Sequence, residues 1–498
     1  MTKRYRPWTP TQSFLLPPSP LEWLEEGHLA YFVLDVVPML DLSAVERTIQ
    51  AKDGRGERPY APLMMVALLI YAYCAGVFSS RKMARATYED VAFRVIAGGE
   101  HPHFTTINQF RLEHREALAA LFVQVLRLCR KAGLVKLGHV SFDGSKVRAN
   151  ASKHKAMSYG RMQEEEQRLA AEVEALLARA EQADRQEDQK YGVGQAPDDL
   201  PKELQRRQER LTRIRAAKAA LEQEAAEARV ELLQEQARAQ REKATDPNLS
   251  AGERSRAAYN AATAEEKARE VSDSNDDGPP SSSSGGDDLP HHRVAGSPDG
   301  TPDPKAQRNF TDPESRIMVK DGAIVQAYNA HTAVDAEAQV IVACAVTNQP
   351  PDQEHLVPML DRAIANCGGQ APTVVTADNG FLSKGNIDAC ITRGVDPYIA
   401  VGRNPGQMAH PAQAAKTPAQ EARRAMAEKL LTVAGKAIYA RRKAIVEPPF
   451  GQIKQARGFR RFSFRGIAKV RCEWSLVCLT HNLLKLFRHG RPPSAVPT

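Results

Sequence analysis

Residues 137–150 read LGHVSFDGSKVRAN, and the reading of this stretch decides the fold. Val140 and Phe142 alternate with His139 and Ser141, which is the two-residue period of a half-buried strand. Asp143-Gly144 is a turn pair that would end it. Everything before the strand, residues 1–136, has a helical pattern. Runs at 61–78, 80–96 and 112–134 are separated by Gly76, Gly98-Gly99 and Pro102. Thr105 or Thr106 is placed to cap a helix through Ile107, Phe110 and Leu112. With Asn108, Gln109 and Arg111 exposed, that segment is compatible with a helix-turn-helix, and equally with generic helical packing. The uncharged run at 61–78 raises a membrane question. Pro62, Gly76, Tyr71 and Tyr73, and the lack of a second such run, make a buried helix the expectation.

After the strand the composition shifts. Residues 161–190 and 199–243 are rich in Glu, Arg, Ala, Gln and Leu. Leu200, Leu204, Leu211, Ile214, Leu221, Ala225, Ala228 and Leu232 recur at helical spacing, a seam with charged flanks. The break at 191–199, YGVGQAPDD, suggests an antiparallel helical hairpin or coiled coil over 156–245. Its charges are mixed in sign, so it reads as a solvated face rather than a nucleic-acid surface. Residues 246–306 are poor in apolar side chains and dense in Ser, Gly, Pro and Asp, and read as a disordered linker. His291-His292 lies within it with no third metal ligand nearby.

From 307 the chain is globular again. Strands are expected at 323–334, 340–346, 373–377 and 398–401, and helices at 354–366 and 383–393. With 137–143 counted first, this is an α/β sheet with an antiparallel start, split by a long insertion between its first two strands.

Composition narrows the function. The chain has 498 residues, a net charge of +8 and seven cysteines, none in a C-x-x-C pair. Its pI is about 9.0. The cysteine usage points to a reducing compartment rather than a disulfide framework or thiolate zinc site. The opening MTKRYRPWTPTQ lacks the apolar core of a signal peptide, so a cytoplasmic location is expected. Secreted, collagen-like and polytopic membrane classes are excluded.

Three acids stand out. Asp143 and Asp378 (in VVTADNG) lie just past expected strand ends, where α/β sheets bind ligands, although each is also an ordinary turn residue. The third is Glu447. Residues 436–471 hold eleven Lys and Arg and this single acid. It sits in AIVEPPFGQIK, at an expected helix start with Pro448 and Pro449 in the first turn. Such an acid lowers the positive potential of a phosphate-binding segment, but makes sense if it holds a metal at the phosphate being cut. Three carboxylates suit Mg²⁺, with Mn²⁺ as a substitute. Two ions ~4 Å apart can activate an attacking hydroxyl and stabilise the leaving oxygen. The surrounding cations would neutralise backbone phosphates. Phe450, Phe459, Phe462 and Phe464 interleave with them, either stacking on bases or packing a core.

Six stretches then carry a resemblance: RPYAPLMMVALLIYAYCAGVFSSRKM (58–83), VSFDGSKVRANAS (140–152), AYNAHTAVD (327–335), TADNGF (376–381), YARRKAIVEPPFGQIKQARGFRRFSFRG (439–466) and HNLLKL (481–486). The chain resembles the DDE transposases of bacterial insertion sequences, most closely insertion-sequence family 1182. The last long block looks like the family's Tyr–Arg–Glu–Lys signature, here Tyr439, Arg442, Glu447 and Lys454. Four residues separate Arg442 from Glu447 where three are usual, so Lys443 stands beside Arg442 as a candidate. AYNAH departs from the family's Gly-Tyr-Asn-Ala-Gln.

The resemblance implies an RNase H-like catalytic domain over 137–155 and 307–490, with Asp143, Asp378 and Glu447 as its acidic triad on two Mg²⁺ ions. It implies an all-helical N-terminal domain, 1–136, that helps bind terminal inverted repeats. The activity implied is Mg²⁺-dependent cleavage of the element's ends and joining of 3′-hydroxyls to target DNA, by a homo-oligomer assembled on DNA at the bacterial nucleoid. DNA contacts would come from Tyr439, Arg442, Lys443, Lys454, Arg457, Arg460, Arg461 and Arg465. A DNA-binding protein without chemistry is the alternative, and a scaffold organised by the hairpin is a third reading that leaves the basic segment unexplained.

Overall fold

The computed structural model describes residues 22–51, 58–191, 202–273, 289–320, 322–402 and 417–489, the side chains of 179–191 and 202–203 excepted. Seven helices come first: α1 (Leu29–Val36), α2 (Ser43–Gln50), α3 (Pro62–Cys74), α4 (Ser80–Glu89), α5 (Val91–Ile96), α6 (Phe104–Glu113) and α7 (Arg115–Lys131). Pro62 opens α3, and every residue from Met65 to Cys74 is buried. An apolar helix covered on all sides is a core helix. Among the described residues no helix is long and apolar enough to cross a membrane.

Local chemistry sets boundaries that periodicity missed. The single helix expected at 80–96 is two, because Asp90 is extended and its carboxylate accepts from Ala92 N (2.9 Å) and Phe93 N (3.2 Å), capping α5. The cap of α6 is His103, not a threonine, and Thr105 N donates to the His103 ring. Arg111, expected on the outer face of a recognition helix, is buried.

The sheet follows: β1 (His139–Arg148), then, beyond an insertion, β4 (Arg316–Lys320), β5 (Ala323–Asp335), β6 (Ile341–Thr347), β7 (Val374–Ala377) and β8 (Asp396–Ile399). The order is β4-β5-β1-β7-β8, with β6 also on β5. The β1–β5, β4–β5 and β5–β6 pairs are antiparallel, and the β1–β7 and β7–β8 pairs are parallel. Helices α11 (Leu356–Asn366), α12 (Lys384–Thr392), α13 (Pro418–Leu431), α14 (Val433–Gly451) and α15 (Ile467–Arg488) complete this part. It is a mixed α/β fold with a helical N-terminal region.

The insertion contains β2 (Ala156–Ser158), α8 (Tyr159–Tyr191), α9 (Lys202–Thr245), α10 (Ala251–Asp273) and β3 (Gln307–Asn309), which pairs with β2. Glu165 pairs with Arg210, Glu166 with Arg215 and Glu172 with Arg207, so α8 and α9 run antiparallel. The break expected at 191–199 falls, after Tyr191, outside the described residues. The linker expected at 246–306 is in part helix, and this corrects the sequence reading. Ala257, Ala261, Ala264 and Ala268 form a buried seam along α10, which packs on α9. Alanine is the best helix former yet adds little apolar area, so a hydropathy criterion undervalues such a helix. Within 289–306, Leu289 and Val294 are also buried. Residues 274–288 lie outside the described residues.

The helical region and the sheet share one core. α15 packs on α3, α7 and β6. At this junction Arg111 and Glu473 form a fully buried ion pair, 3.5 Å apart. Arg111 also donates to Tyr73 Oη (2.7 Å) and to the Phe78 carbonyl (3.2 Å). Burial holds the Glu473 carboxyl above its ordinary range, opposed by Arg111 and by the N–H groups of Ser463 and Phe464. Removing one partner strands the other charge. Arg111→Met is therefore expected to destabilise the fold by about 3–5 kcal/mol, read as a lower Tm in thermal unfolding. An unchanged Tm would show that the pair is not a structural tie.

Candidate active site

The parallel pairing of β1 with β7 covers only His139–Ser141, while β1 itself continues to Arg148 along β5. Asp143 is thus inside the strand rather than at a turn, because β5 keeps pairing after β7 has ended. Ser141 lies opposite Thr376. Carried two residues further, that register sets Asp378 beside Asp143 on the same face. Asp378 accepts from Gly380 N (2.8 Å) and caps the short 3-10 turn Asn379–Phe381. Burial pushes the Asp143 carboxyl up to about 6. Arg442 opposes that rise, and the Asp378 and Asp352 charges add to it. Asp378 is likewise raised, by burial and then by Asp352.

α14 lies over this pair, packed on β1, β5 and β7. It starts at Val433, where the Thr432 hydroxyl accepts from Gly435 N (2.9 Å). Glu447 is therefore near the end of the helix, not its start, with Pro448 and Pro449 inside the last turn. Pro448 has no N–H for the carbonyl of Ala444. Gln339 supplies the missing donor, its Nε2 lying 2.8 Å from that oxygen. Gln339 is itself fixed by Lys485 Nζ (2.7 Å) on its side chain and His481 Nε2 (2.9 Å) on its carbonyl. The chain then widens into a π-helical turn, Gln452–Ala456.

One turn apart on α14, Tyr439 and Arg442 face the aspartates. The Arg442 guanidinium is 3.9 Å from the Asp143 carboxylate. Its Nε and Nη1 are buried without a hydrogen-bond partner. Burial raises the Tyr439 hydroxyl above its ordinary value, with Arg442 opposing and both aspartates adding. Lys443 is exposed. Glu447 is exposed too, and makes no salt bridge among the described residues. Five residues place it about 140° around the helix from Arg442. Lys454, in the π turn, contacts the Ser145 hydroxyl and lies 4.9 Å from the Phe450 ring centre. Among the described residues no three His, Cys, Asp or Glu are grouped tightly enough to hold a metal ion. The structure thus brings Asp143, Asp378, Tyr439 and Arg442 together and leaves Glu447 apart.

Sequence reasoning missed Asp352. Its Oδ1 accepts from Asn329 Nδ2 (2.6 Å) and Lys146 Nζ (3.0 Å). A Cβ at Gly144 would lie 2.7 Å from Asp352 Oδ1, and one at Gly380 would lie 3.2 Å from Oδ2. Gly144, next to Asp143, and Gly380, two residues after Asp378, are thus both crowded by Asp352, with Asp378 Oδ1 nearer still at Gly380 (3.0 Å). PPDQEH (350–355) offered an acid before a helix, but nothing tied it to Asp143 until β5 was in register.

The basic segment after the π turn alternates by burial. Phe459, Phe462 and Phe464 are buried, with Phe459 and Phe462 against Trp474. Arg460, Arg461 and Arg465 are exposed. The phenylalanines therefore pack rather than stack on bases, and they turn the arginines outward. Phe462 N donates to the Arg148 carbonyl (2.9 Å), so this loop extends β1. Arg457 is a correction: it is buried and donates to Thr480 Oγ1 (2.7 Å) and the Val477 carbonyl (3.2 Å). It is a core residue, unavailable to DNA.

Residues 299–483 match the family model described as Transposase DDE domain, and residues 19–113 match the one described as Transposase domain (DUF772). The chain belongs to the DDE transposases. The DDE match takes in Asp378 and Glu447 and begins after Asp143 and the helical insertion. No curated protein and no solved structure matches significantly.

In this transposase the raised Asp143 carboxyl has a consequence for stability. Its folded pKa, about 6, exceeds the ordinary 3.8. The stabilisation it provides is full below pH ~4 and is lost as pH rises through ~6. Asp143→Asn is expected to raise stability at pH 7.5, without divalent metal, by on the order of 3 kcal/mol, and by nothing below pH ~4. Thermal unfolding across that range checks it. A pH-independent difference would contradict the assignment.

Proposed function

We propose that this DDE transposase binds the terminal inverted repeats of its own insertion sequence, cuts the ends and joins the 3′-hydroxyls to target DNA. It would act in the bacterial cytoplasm at the nucleoid, as a homo-oligomer assembled on DNA, within the insertion-sequence 1182 group. The mixed sheet, with its antiparallel β1–β5 and parallel β1–β7 pairs, supports an RNase H-like catalytic domain.

The observation that carries the reading is Arg442: two buried guanidinium nitrogens, Nε and Nη1, without a hydrogen-bond partner, beside two desolvated carboxylates. Unpaired buried donors are costly. A phosphate oxygen of bound DNA would satisfy them. The donor set also fits a divalent cation, since Asp143 and Asp378 are hard oxygen ligands whose mutual repulsion a cation relieves. In this reading Asp143 and Asp378 would hold Mg²⁺ (or Mn²⁺), one ion or two, and Glu447, which stands apart from them in the free protein, would complete the set once DNA is bound. When bound, such ions supply the positive charge that activates the attacking hydroxyl and stabilises the leaving oxygen. Arg442 orients the scissile phosphate, and Tyr439, its hydroxyl kept protonated, donates to the DNA end. Lys454 contacts a phosphate next to β1. Lys443, Arg460, Arg461 and Arg465 hold the flanking strand.

The test is Mg²⁺-dependent nicking of element-end DNA by the purified protein. Asp143→Asn, Asp378→Asn and Glu447→Gln are each expected to abolish nicking while DNA binding persists. Arg442→Ala is expected to lower the cleavage rate by ~10²–10³-fold. Nicking that survives either aspartate change would sink the assignment of that residue, and nicking that survives Glu447→Gln would remove Glu447 from the site.

A further inference from the structure

The insertion read from sequence as a plain solvated face builds a cleft of about 910 Å³ against the β2–β3 ribbon. Six Lys and Arg line it with one acid, Glu209. Its floor is apolar: Met157 and Phe310 pack against a small second core in which Ile214 and Ala217 of α9 are buried. Its rim is cationic. Arg206, Arg210 and Arg213 stand at i, i+4 and i+7 on one face of α9, a row about 10 Å long. Facing them are Lys155, just before β2, and Arg161, at the start of α8. Arg210 is paired with Glu165 (2.6 Å), Arg213 with Glu209 (3.7 Å) and Arg308 with Glu224. Lys155, Arg161 and Arg206 are exposed and make no salt bridge among the described residues.

One run of chain joins the cleft to the candidate active site. β1 leaves Asp143, passes Arg148 and reaches Lys155 through a short segment. Within that segment Asn150 accepts from Arg461 Nη2 (3.2 Å) at its side chain and from Arg465 Nε (3.0 Å) at its carbonyl. The same backbone thus carries the loop arginines at one end and the cleft at the other.

We propose that this cleft is a second DNA-backbone site, in which Lys155, Arg161 and Arg206 neutralise phosphates of the duplex flanking the cleavage point. Arg206 opens the row on α9, and Lys155 and Arg161 stand across the cleft from it, so the three cations without salt bridges among the described residues reach backbone phosphates from both sides. The interactions are with phosphate alone, so the site adds affinity and register without base specificity. The identity of the polyanion rests on the transposase reading; the anion-binding character of the cleft does not.

The test is equilibrium binding of the full chain to a duplex several helical turns long, over a range of salt. The variant carries Lys155→Gln, Arg161→Gln and Arg206→Gln. Its control carries Arg256→Gln, Lys267→Gln and Arg269→Gln on exposed positions of α10. The cleft variant is expected to bind ~10-fold or more weakly at moderate salt, with a log–log salt slope shallower by about 0.9 for each phosphate no longer neutralised. The control should stay near wild type, and both should keep the wild-type Tm. Unchanged affinity and slope overturn the proposal, as does an equal loss in the control, which would report net charge only. Preference of the wild-type cleft for an RNA hairpin of equal charge overturns the DNA assignment. If the wild-type protein binds as expected but never nicks DNA with Mg²⁺, the catalytic reading fails while the cleft stands.

Discussion

The shape of the candidate catalytic face depends on a buried charge pair, Arg111 with Glu473. Glu473 of α15 accepts the N–H groups of Ser463 (2.9 Å) and Phe464 (3.2 Å) and is neutralised by Arg111 of α6. Arg111 in turn lies 4.3 Å from the Phe464 ring centre. These contacts dictate how the basic loop enters the core. Once Phe464 is held, Phe462 and Phe459 follow it inward, and Arg460, Arg461 and Arg465 lie on the exposed side, Arg461 and Arg465 bonded to Asn150. A buried pair of this kind adds little net stability over an apolar substitute, because desolvation offsets its attraction. What it fixes is which side chains face out.

The carboxylate pair has the opposite character. β1 and β7 hold Asp143 and Asp378 adjacent, partly desolvated and mutually repelling, and Asp352 adds a third negative charge behind them. Such a site is stable only because the surrounding framework over-determines it. Gln339 shows how: it satisfies the carbonyl that Pro448 leaves open and ties α14 to α15, so that Arg442 and Tyr439 are presented to the aspartates. Arg442 only partly balances the pair, and its unfilled donors leave an opening for an anion. On the proposed reading, a cation at the carboxylates and a phosphate at the arginine would serve a metal-dependent phosphoryl transfer.

Much of this was legible in the chain. The alternation around Val140 and Phe142, the strands at 323–334 and 340–346 and the helix at 383–393 match the observed elements within a few residues. Asp143 and Asp378 were expected just past strand ends; Asp378 does follow β7, whereas Asp143 lies within β1. What was not legible depended on contacts between distant residues. The continuation of β1 past Asp143 comes from β5, about 190 residues later by register, and no local signal outweighs an Asp-Gly turn. Pro448-Pro449 reads as a helix start unless a side chain elsewhere replaces the lost donor. Arg457 looks like any other cation of its segment until α15 encloses it. Ala257 to Ala268 look too weakly apolar to order a helix, but α10 buries them as it packs on α9. The charges of α9 read only as a solvated face, because the ribbon that makes a cleft of Arg206, Arg210 and Arg213 pairs β2 with β3 from about 150 residues later.

The most direct measurement concerns where the cation sits. Fe²⁺ replaces Mg²⁺ in the purified protein, hydroxyl radicals are generated at the bound ion, and the positions of backbone scission are mapped. Cuts at the neighbourhoods of Asp143 and Asp378, with or without cuts on α14 near Glu447, and lost on excess Mg²⁺ or in Asp378→Asn, are the expected result. Metal-dependent cuts only elsewhere in the chain, or none at these two aspartates, would contradict the claim that they form the catalytic centre.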